Sequence, residues 1–220
     1  MPQVIRPSGT GIRTQSLGFP FPAIRGQATM HGCLNRIAPV AADYIEVWPG
    51  GLDRFGRPGG MLTVLLASPS PIPTNDFNHI IGVCASKDAA GGASMGFTCE
   101  LRQGTVPQLA LGGGTIIAAF VCANLPSTVG TYYRYRLTTA EAAQITLYRL
   151  LGLRFVATNA RGGAPRTCRL HWAGVELPTA ADPSNAHTRL TPEEWRRKER
   201  GLAITQESDR QPTPTTARPF

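Results

Sequence analysis

The sequence predicts an all-β protein, an antiparallel β-sandwich or jelly roll, and three features of the chain support this class. Short apolar or alternating runs recur along its middle, and a period of two indicates half-buried strands. The chain has 24 Gly and 19 Pro, which separate these runs, as the many turns of a sandwich or barrel require. Apolar residues make up 42% of the 220 residues, enough for a core in one domain of ordinary size.

The β-sandwich domain is predicted to occupy residues 41–178, where turn residues alternate with eight candidate strands. Some of these runs alternate polar and apolar residues, whereas others are continuously apolar. The run 115–123 is long and apolar enough to predict a central strand. In chain order the candidate strands cover 43–48, 61–67, 80–85, 96–102, 115–123, 131–137, 153–158 and 166–177.

One stretch inside the domain, 138–148, has helical periodicity. A threonine is available to cap its start, and Glu141 follows in the first turn, where the helix dipole favours an acid. Ala142, Ile145 and Tyr148 continue an apolar stripe at helical spacing. The sequence therefore predicts a single short helix that crosses between two strands.

Both ends of the chain are predicted to lie outside the sandwich. Residues 1–40 have weak periodicity and five prolines, which predicts an extended N-terminal arm with one short edge strand at most. Residues 179–220 predict an extended C-terminal arm with a helix at 191–200, capped by Thr191. Residues 205–220 are almost without apolar side chains, so they cannot offset their own ordering entropy.

The candidate partner-binding residues lie in these two arms. Two phenylalanines, each followed by proline, form a stiff apolar segment suited to a partner's groove or to its own domain. Arginine outnumbers lysine by 20 to 2, and guanidinium groups suit interfaces because they bind in a bidentate way. The bias also fits a GC-rich genome, since Ala, Gly and Pro are abundant too. The candidates are Phe19, Phe21, Arg6, Arg13, Trp195, Arg196 and Arg197.

Five cysteines are spread along the chain without a CxxC motif or a Cys/His cluster, so no metal site is predicted. Most of them sit in apolar or alternating runs, which predicts buried free thiols and folding in a reducing cytoplasm. No signal peptide and no membrane-spanning apolar run is recognised, so no membrane partner is expected. The cysteines are Cys33, Cys84, Cys99, Cys122 and Cys168.

The sequence predicts no enzyme, no catalytic residue and no cofactor. No nucleophile elbow, zinc-protease motif or P-loop is present. Residues 112–115 precede a strand and are interpreted as a hairpin turn, since a phosphate site needs a helix N-terminus. His171 lies in a predicted strand without a carboxylate at ligand spacing, so it is interpreted as structural.

Two kinds of ligand binding remain as alternatives. The run 131–137 interleaves Tyr and Arg, as single-strand nucleic-acid binders do. On a strand, however, tyrosines at alternate positions would face the core and the arginines would face solvent, so direct nucleic-acid binding is not favoured. Glycan binding would require an exposed stacking platform, for which Trp48, Tyr132 and Trp172 are the candidates.

Residues 131–178 carry the most characteristic pattern. A Tyr-x-Tyr-x-Leu-Thr strand leads into the short helix, then into an apolar strand at 151–157, a Gly-rich turn and a closing strand at 169–178. This segment resembles the end of a jelly-roll-like domain that recurs in virion proteins of tailed bacteriophages, and residues 6–8 and 43–45 more weakly resemble its opening strands. The resemblance covers residues 1–178.

The resemblance implies a structural role in a phage particle assembled in the host cytoplasm. The leading hypothesis is a capsid decoration or cement protein, homo-oligomeric, whose arms contact the major capsid protein or other virion proteins. A head–tail connector component and a glycan-binding tail module are the alternatives that the resemblance leaves open.

Overall fold

The computed structural model describes residues 3–14, 22–36, 38–49, 60–73, 78–92, 94–129, 131–159 and 166–178. These residues form eleven strands and three short helices. The strands are β1 (Gln3–Ile5), β2 (Pro7–Arg13), β3 (Ala23–Arg25), β4 (Tyr44–Val47), β5 (Met61–Leu66), β6 (Ile80–Lys87), β7 (Met95–Gln103), β8 (Thr115–Cys122), β9 (Tyr132–Arg136), β10 (Leu151–Asn159) and β11 (Cys168–Leu177). The helices are α1 (Met30–Leu34), α2 (Val106–Ala110) and α3 (Thr139–Ala143).

The strands form two antiparallel sheets packed as a sandwich, which confirms the predicted fold class. Sheet A has the order β3-β4-β11-β6-β9, and β1 pairs with the far end of β11. Sheet B has the order β2-β5-β10-β7-β8. The three longest strands, β7, β10 and β11, lie inside their sheets and pair on both sides.

The core fills the space between the sheets. In sheet B, Phe97 and Phe155 meet edge to face, with their ring centroids 6.2 Å apart, a favoured aromatic geometry. Sheet A contributes Ile45, Ile81 and Val175, all of them fully buried. Burial of such side chains supplies the main free energy of folding, about 1.5–3 kcal/mol for each large aliphatic residue.

The first forty residues differ from the arm that the sequence predicts. Their described part is extended in β1, β2 and β3, but these strands belong to both sheets. Helix α1, which Thr29 caps through the Gly32 N–H at 3.1 Å, buries Met30 and Leu34 in the core. Weak periodicity hid this contribution, because β1 and β3 have three residues each, α1 has five, and β2 (PSGTGIR) has no apolar alternation.

The predicted strands are all present, but one of them has a different place in its sheet. The run 115–123 was predicted as a central strand, and β8 lies instead at the edge of sheet B. The prediction rested on apolar length alone, which is typical of a strand with neighbours on both sides. This strand is therefore an edge with the composition of a sheet interior.

The predicted helix at 138–148 is present but shorter, since α3 ends at Ala143. Its start has the expected capping box, in which Thr138 and Glu141 bond each other's backbone N–H groups. Beyond it, the Gln103 side chain donates to the Gln144 carbonyl and accepts from the backbone N–H groups of 146 and 147. These bonds hold residues 144–147 in a turn, so the helix cannot continue.

Helix α2 was not predicted, although its capping box, Thr105 with Gln108, is visible in the sequence. It lies between β7 and β8, and residues 112–114 lead from it into β8. The C-terminal arm at 179–220, including the helix predicted at 191–200, lies outside the described residues.

Candidate functional site

The predicted partner-binding residues do not form one described cluster. Arg6 lies between β1 and β2, where its carbonyl accepts from the Ala67 N–H at 2.9 Å. Arg13, at the other end of β2, donates from Nη1 to the Pro22 carbonyl at 2.7 Å, and burial lowers its pKa. Phe19, Phe21, Trp195, Arg196 and Arg197 lie outside the described residues.

A cluster of three charged side chains lies on the outer face of sheet B, with Glu100 and Arg102 buried and Arg154 partly buried. Glu100 accepts from Arg102 Nε at 2.6 Å and from Arg154 Nε and Nη2, both at 2.8 Å. Burial alone would raise the pKa of Glu100, but the hydrogen bonds and charges of the two arginines outweigh it and hold that pKa below its ordinary value. The cluster is therefore a permanently charged structural unit with no proton to transfer near neutral pH.

The same arginines fix the loop that leads into β8. Arg102 donates to the Gly114 carbonyl at 3.0 Å, and Arg154 donates to the Gly112 carbonyl at 3.3 Å. Gly114 has a φ of +85°, and a Cβ there would lie 2.6 Å from the Gln103 carbonyl oxygen. Only glycine suits this conformation and this close approach, so the start of β8 has a defined geometry.

A serine and a histidine meet on the outer face of sheet A. Ser86 Oγ lies 2.9 Å from His171 Nε2, and the Tyr44 ring lies 5.5 Å from the imidazole. His171 is the extra residue where the pairing of β11 with β6 shifts register. Burial lowers its pKa. Both side chains are only 1% exposed, so a substrate has no access to the pair, and its position suits a structural role.

The second described histidine with a ring partner is His79. Tyr148 Oη lies 2.7 Å from His79 Nε2, and His79 is fully buried. Within the described part of the chain, no three His, Cys, Asp or Glu residues are grouped to hold a metal ion. No described helix has the length and apolar character needed to cross a membrane.

All five cysteines are free and buried, which confirms the buried free thiols that the sequence predicts. Burial raises the pKa of Cys33 to about 11 and those of Cys122 and Cys168 to about 12. The thiolate is the reactive form of cysteine. These thiols are therefore protonated packing residues rather than nucleophiles.

The aromatic candidates do not form an exposed platform. Trp172 is fully buried, donates from Nε1 to the Arg36 carbonyl at 2.9 Å and meets the Tyr132 ring edge to face at 6.0 Å. Tyr133 and Tyr135 pack against the core. The tyrosines of β9 thus stabilise the sandwich, in the half-buried arrangement that the alternation predicts.

The most exposed apolar strand residues lie on the outer face of β8. Ile116 and Val121 are 46% and 60% exposed, and Ala119 between them is exposed as well. The three pair with Arg102, Thr98 and Glu100 of β7, whose side chains point away from the core. This surface, which we call the β8 edge (Ile116–Val121), was missed because the run was predicted to lie inside the sheet.

No protein-family model matches the chain, and no curated protein matches it.

Proposed function

We propose that this chain is a non-enzymatic structural protein of a tailed-bacteriophage particle, a capsid decoration protein that stabilises the shell. In this role the sandwich is a rigid body, and the chain contacts the major capsid protein or other virion proteins. The protein acts as a homo-oligomer, without a cofactor.

The exposed apolar β8 edge is the main support for a role in assembly. Among the described residues, Glu100 and the Ser86–His171 pair are buried and bonded to structural partners. What the described residues expose instead is β8, an apolar strand at a sheet edge. Such edges bind other strands, so the chemistry available favours association over catalysis.

The resemblance to phage virion proteins supports the identity of the assembly. Its most characteristic segment, residues 131–178, folds into β9, α3, β10 and β11. Strands β10 and β11 lie inside the two sheets. The pattern therefore describes the framework of the sandwich, which is what a resemblance in packing residues would preserve.

Deletion of residues 179–220 tests the proposal, because the sandwich described here is built from residues 3–178. We expect the shortened chain to unfold in one cooperative transition, as a folded sandwich does, and to bind purified capsids at least about tenfold more weakly. Full binding by the shortened chain would contradict a role for the C-terminal arm. Failure of the full-length chain to bind capsids would contradict the decoration role itself.

The two alternatives from the sequence make different predictions in the same experiments. A head–tail connector component would locate to the portal vertex in electron micrographs of labelled particles, whereas a decoration protein labels the whole shell. A glycan-binding module would bind a glycan array, but Trp172, one of its three candidate aromatics, is fully buried.

A further inference from the structure

We propose that β8 pairs with β8 of a second copy of this chain, antiparallel and across a two-fold axis, so that sheet B continues from one copy into the other. This inference deepens the proposed function, since it names the partner and the surface of the oligomer. It rests on that function only for its biological purpose, because the pairing itself follows from the geometry of the edge.

The other sheet edges carry features that prevent strand addition. Strand β2 begins with Pro7, contains Gly9 and Gly11, ends with Arg13 and shifts register twice along β5. Strands β1 and β3 have three residues each. Short strands, prolines, irregular pairing and charged side chains are the devices by which proteins protect sheet edges.

Strand β8 has none of these chemical protections. Its eight residues include no charged residue and no proline, and its single irregularity lies at its start, opposite Leu101 and Arg102. Among the described residues, no strand pairs with the side of β8 that faces away from β7. Ile116 and Val121 are therefore left exposed on a strand whose sequence is typical of a sheet interior.

The β8 edge is also held rigidly in place. Arg102 binds the carbonyl of Gly114 just before the strand. In the middle, the Phe120 ring stacks on the Tyr135 ring of sheet A, with centroids 5.4 Å apart and planes at 8°. Just after the strand, Tyr133 Oη donates to the Ala123 carbonyl at 3.2 Å. A preorganised edge loses little entropy on pairing, which favours association.

The regular part of β8 is complementary to itself. Residues that pair across antiparallel strands point to the same face of the sheet, whereas neighbours along one strand point to opposite faces. In a two-fold pair of identical strands, one residue must therefore lie opposite its own copy, at the axis. An axis at Phe120 places Ala119 opposite Val121 of the other copy, a small side chain against a large one. Strand β8 has no charged residue, so no like charges meet across the contact. A two-fold contact joins two copies and leaves no free β8 edge, as in most homodimers.

The last part of the chain, residues 205–220, is a poorer occupant. Residues 205–220 contain Pro212, Pro214 and Pro219, and a proline has no N–H to donate to a neighbouring strand. The same residues lack the apolar alternation that would cover Ile116 and Val121. A second β8 supplies both the backbone donors and the apolar side chains.

Sedimentation velocity of the full-length chain from about 1 to 100 μM tests the pairing. We expect a dimer that forms with increasing concentration, and a dissociation constant raised at least about tenfold by Val121→Lys, because a charge opposes edge pairing. Val40→Lys is the matched control: Val40 is 42% exposed but precedes β4 in sheet A, so it should leave the dissociation constant unchanged. Val121→Thr, which keeps the side-chain shape, should give an intermediate value.

Three results would overturn the inference: a monomer at every concentration, equal effects of the two lysine variants, or a dimer that Val121→Lys leaves intact. In a strictly monomeric chain, slow exchange of those amides of residues 118–122 that do not bond β7 would show that a segment of the same chain covers the edge instead. A monomer that still binds capsids would refute the pairing and leave the decoration role standing. A dimer through β8 that binds no capsid would support the pairing and refute the decoration role.

Discussion

Strands β8 and β9 lie on the same side of the sandwich, one at the edge of each sheet, and they differ in charge. Strand β9 has five residues, of which Arg134 and Arg136 are charged. Strand β8 has eight residues and no charge. The two are joined by the Phe120–Tyr135 stack, so they share one local environment. The difference therefore lies in the sequences of the two strands. Of these two edges, only β8 lacks a charged residue that would oppose pairing with another strand.

The largest expected effect concerns the support of β8. Glu100→Ala leaves Arg102, which is buried, and Arg154, which is partly buried, without the carboxylate that both of them bind. Loss of one partner from a buried charge cluster costs about 3–5 kcal/mol. We expect a decrease of this size in the free energy of unfolding, measured by urea denaturation, together with faster amide exchange in β8.

Glu46→Ala is the matched substitution in sheet A. Glu46 binds one arginine, Arg169, at 3.1 Å, and Thr167 at 2.9 Å, and its side chain is 19% exposed. The expected loss is about 1 kcal/mol, because a partly exposed pair is screened by solvent. Equal losses for the two variants would show that the charge cluster of sheet B has no special weight.

The next effect concerns the β9 side of the comparison. Trp172→Phe removes the Nε1 hydrogen bond to the Arg36 carbonyl and part of the contact with Tyr132. A decrease of about 1–3 kcal/mol in the free energy of unfolding is expected. Amide exchange should quicken in β9 and remain slow in β8. Faster exchange in both strands would mean that the two edges open as one unit.

Acid should affect the two sheets in separate pH ranges. Burial holds the pKa of His171 below its ordinary value of 6.5, so the unfolded chain binds more protons, and stability falls as the pH drops below about 6.5. The pKa of Glu100 lies below its ordinary 4.5, so its contribution is complete above that pH and is lost in stronger acid. Urea denaturation at pH 7 and pH 5 should show a loss for the wild type that His171→Asn reduces. An unchanged loss in that variant would contradict this assignment.

The sequence predicts the sandwich because eight of its eleven described strands are alternating or continuously apolar runs separated by turn residues. It does not reveal which strands lie at an edge, because that depends on pairing between distant segments: β8 has the composition of an interior strand. Residues 1–40 were likewise assigned to an arm, since two three-residue strands, a five-residue helix and a β2 strand without apolar alternation leave no repeat to detect. The Ser86–His171 pair joins positions 85 residues apart, which no local pattern could bring together.

The smallest expected change in stability comes from reversing the charge difference between the edges. Arg136 is exposed on β9 and binds Asn78, so Arg136→Val should alter the free energy of unfolding by no more than about 0.5 kcal/mol. The variant removes a charge that protects the edge, and self-association should therefore increase in sedimentation experiments. Arg149→Val, at an exposed turn residue outside the strands, makes the same loss of charge and should not change self-association. If both variants associate equally, the net charge of the protein, rather than a charge at the β9 edge, limits self-association. The absence of charge on β8 would then be no evidence for pairing at that edge.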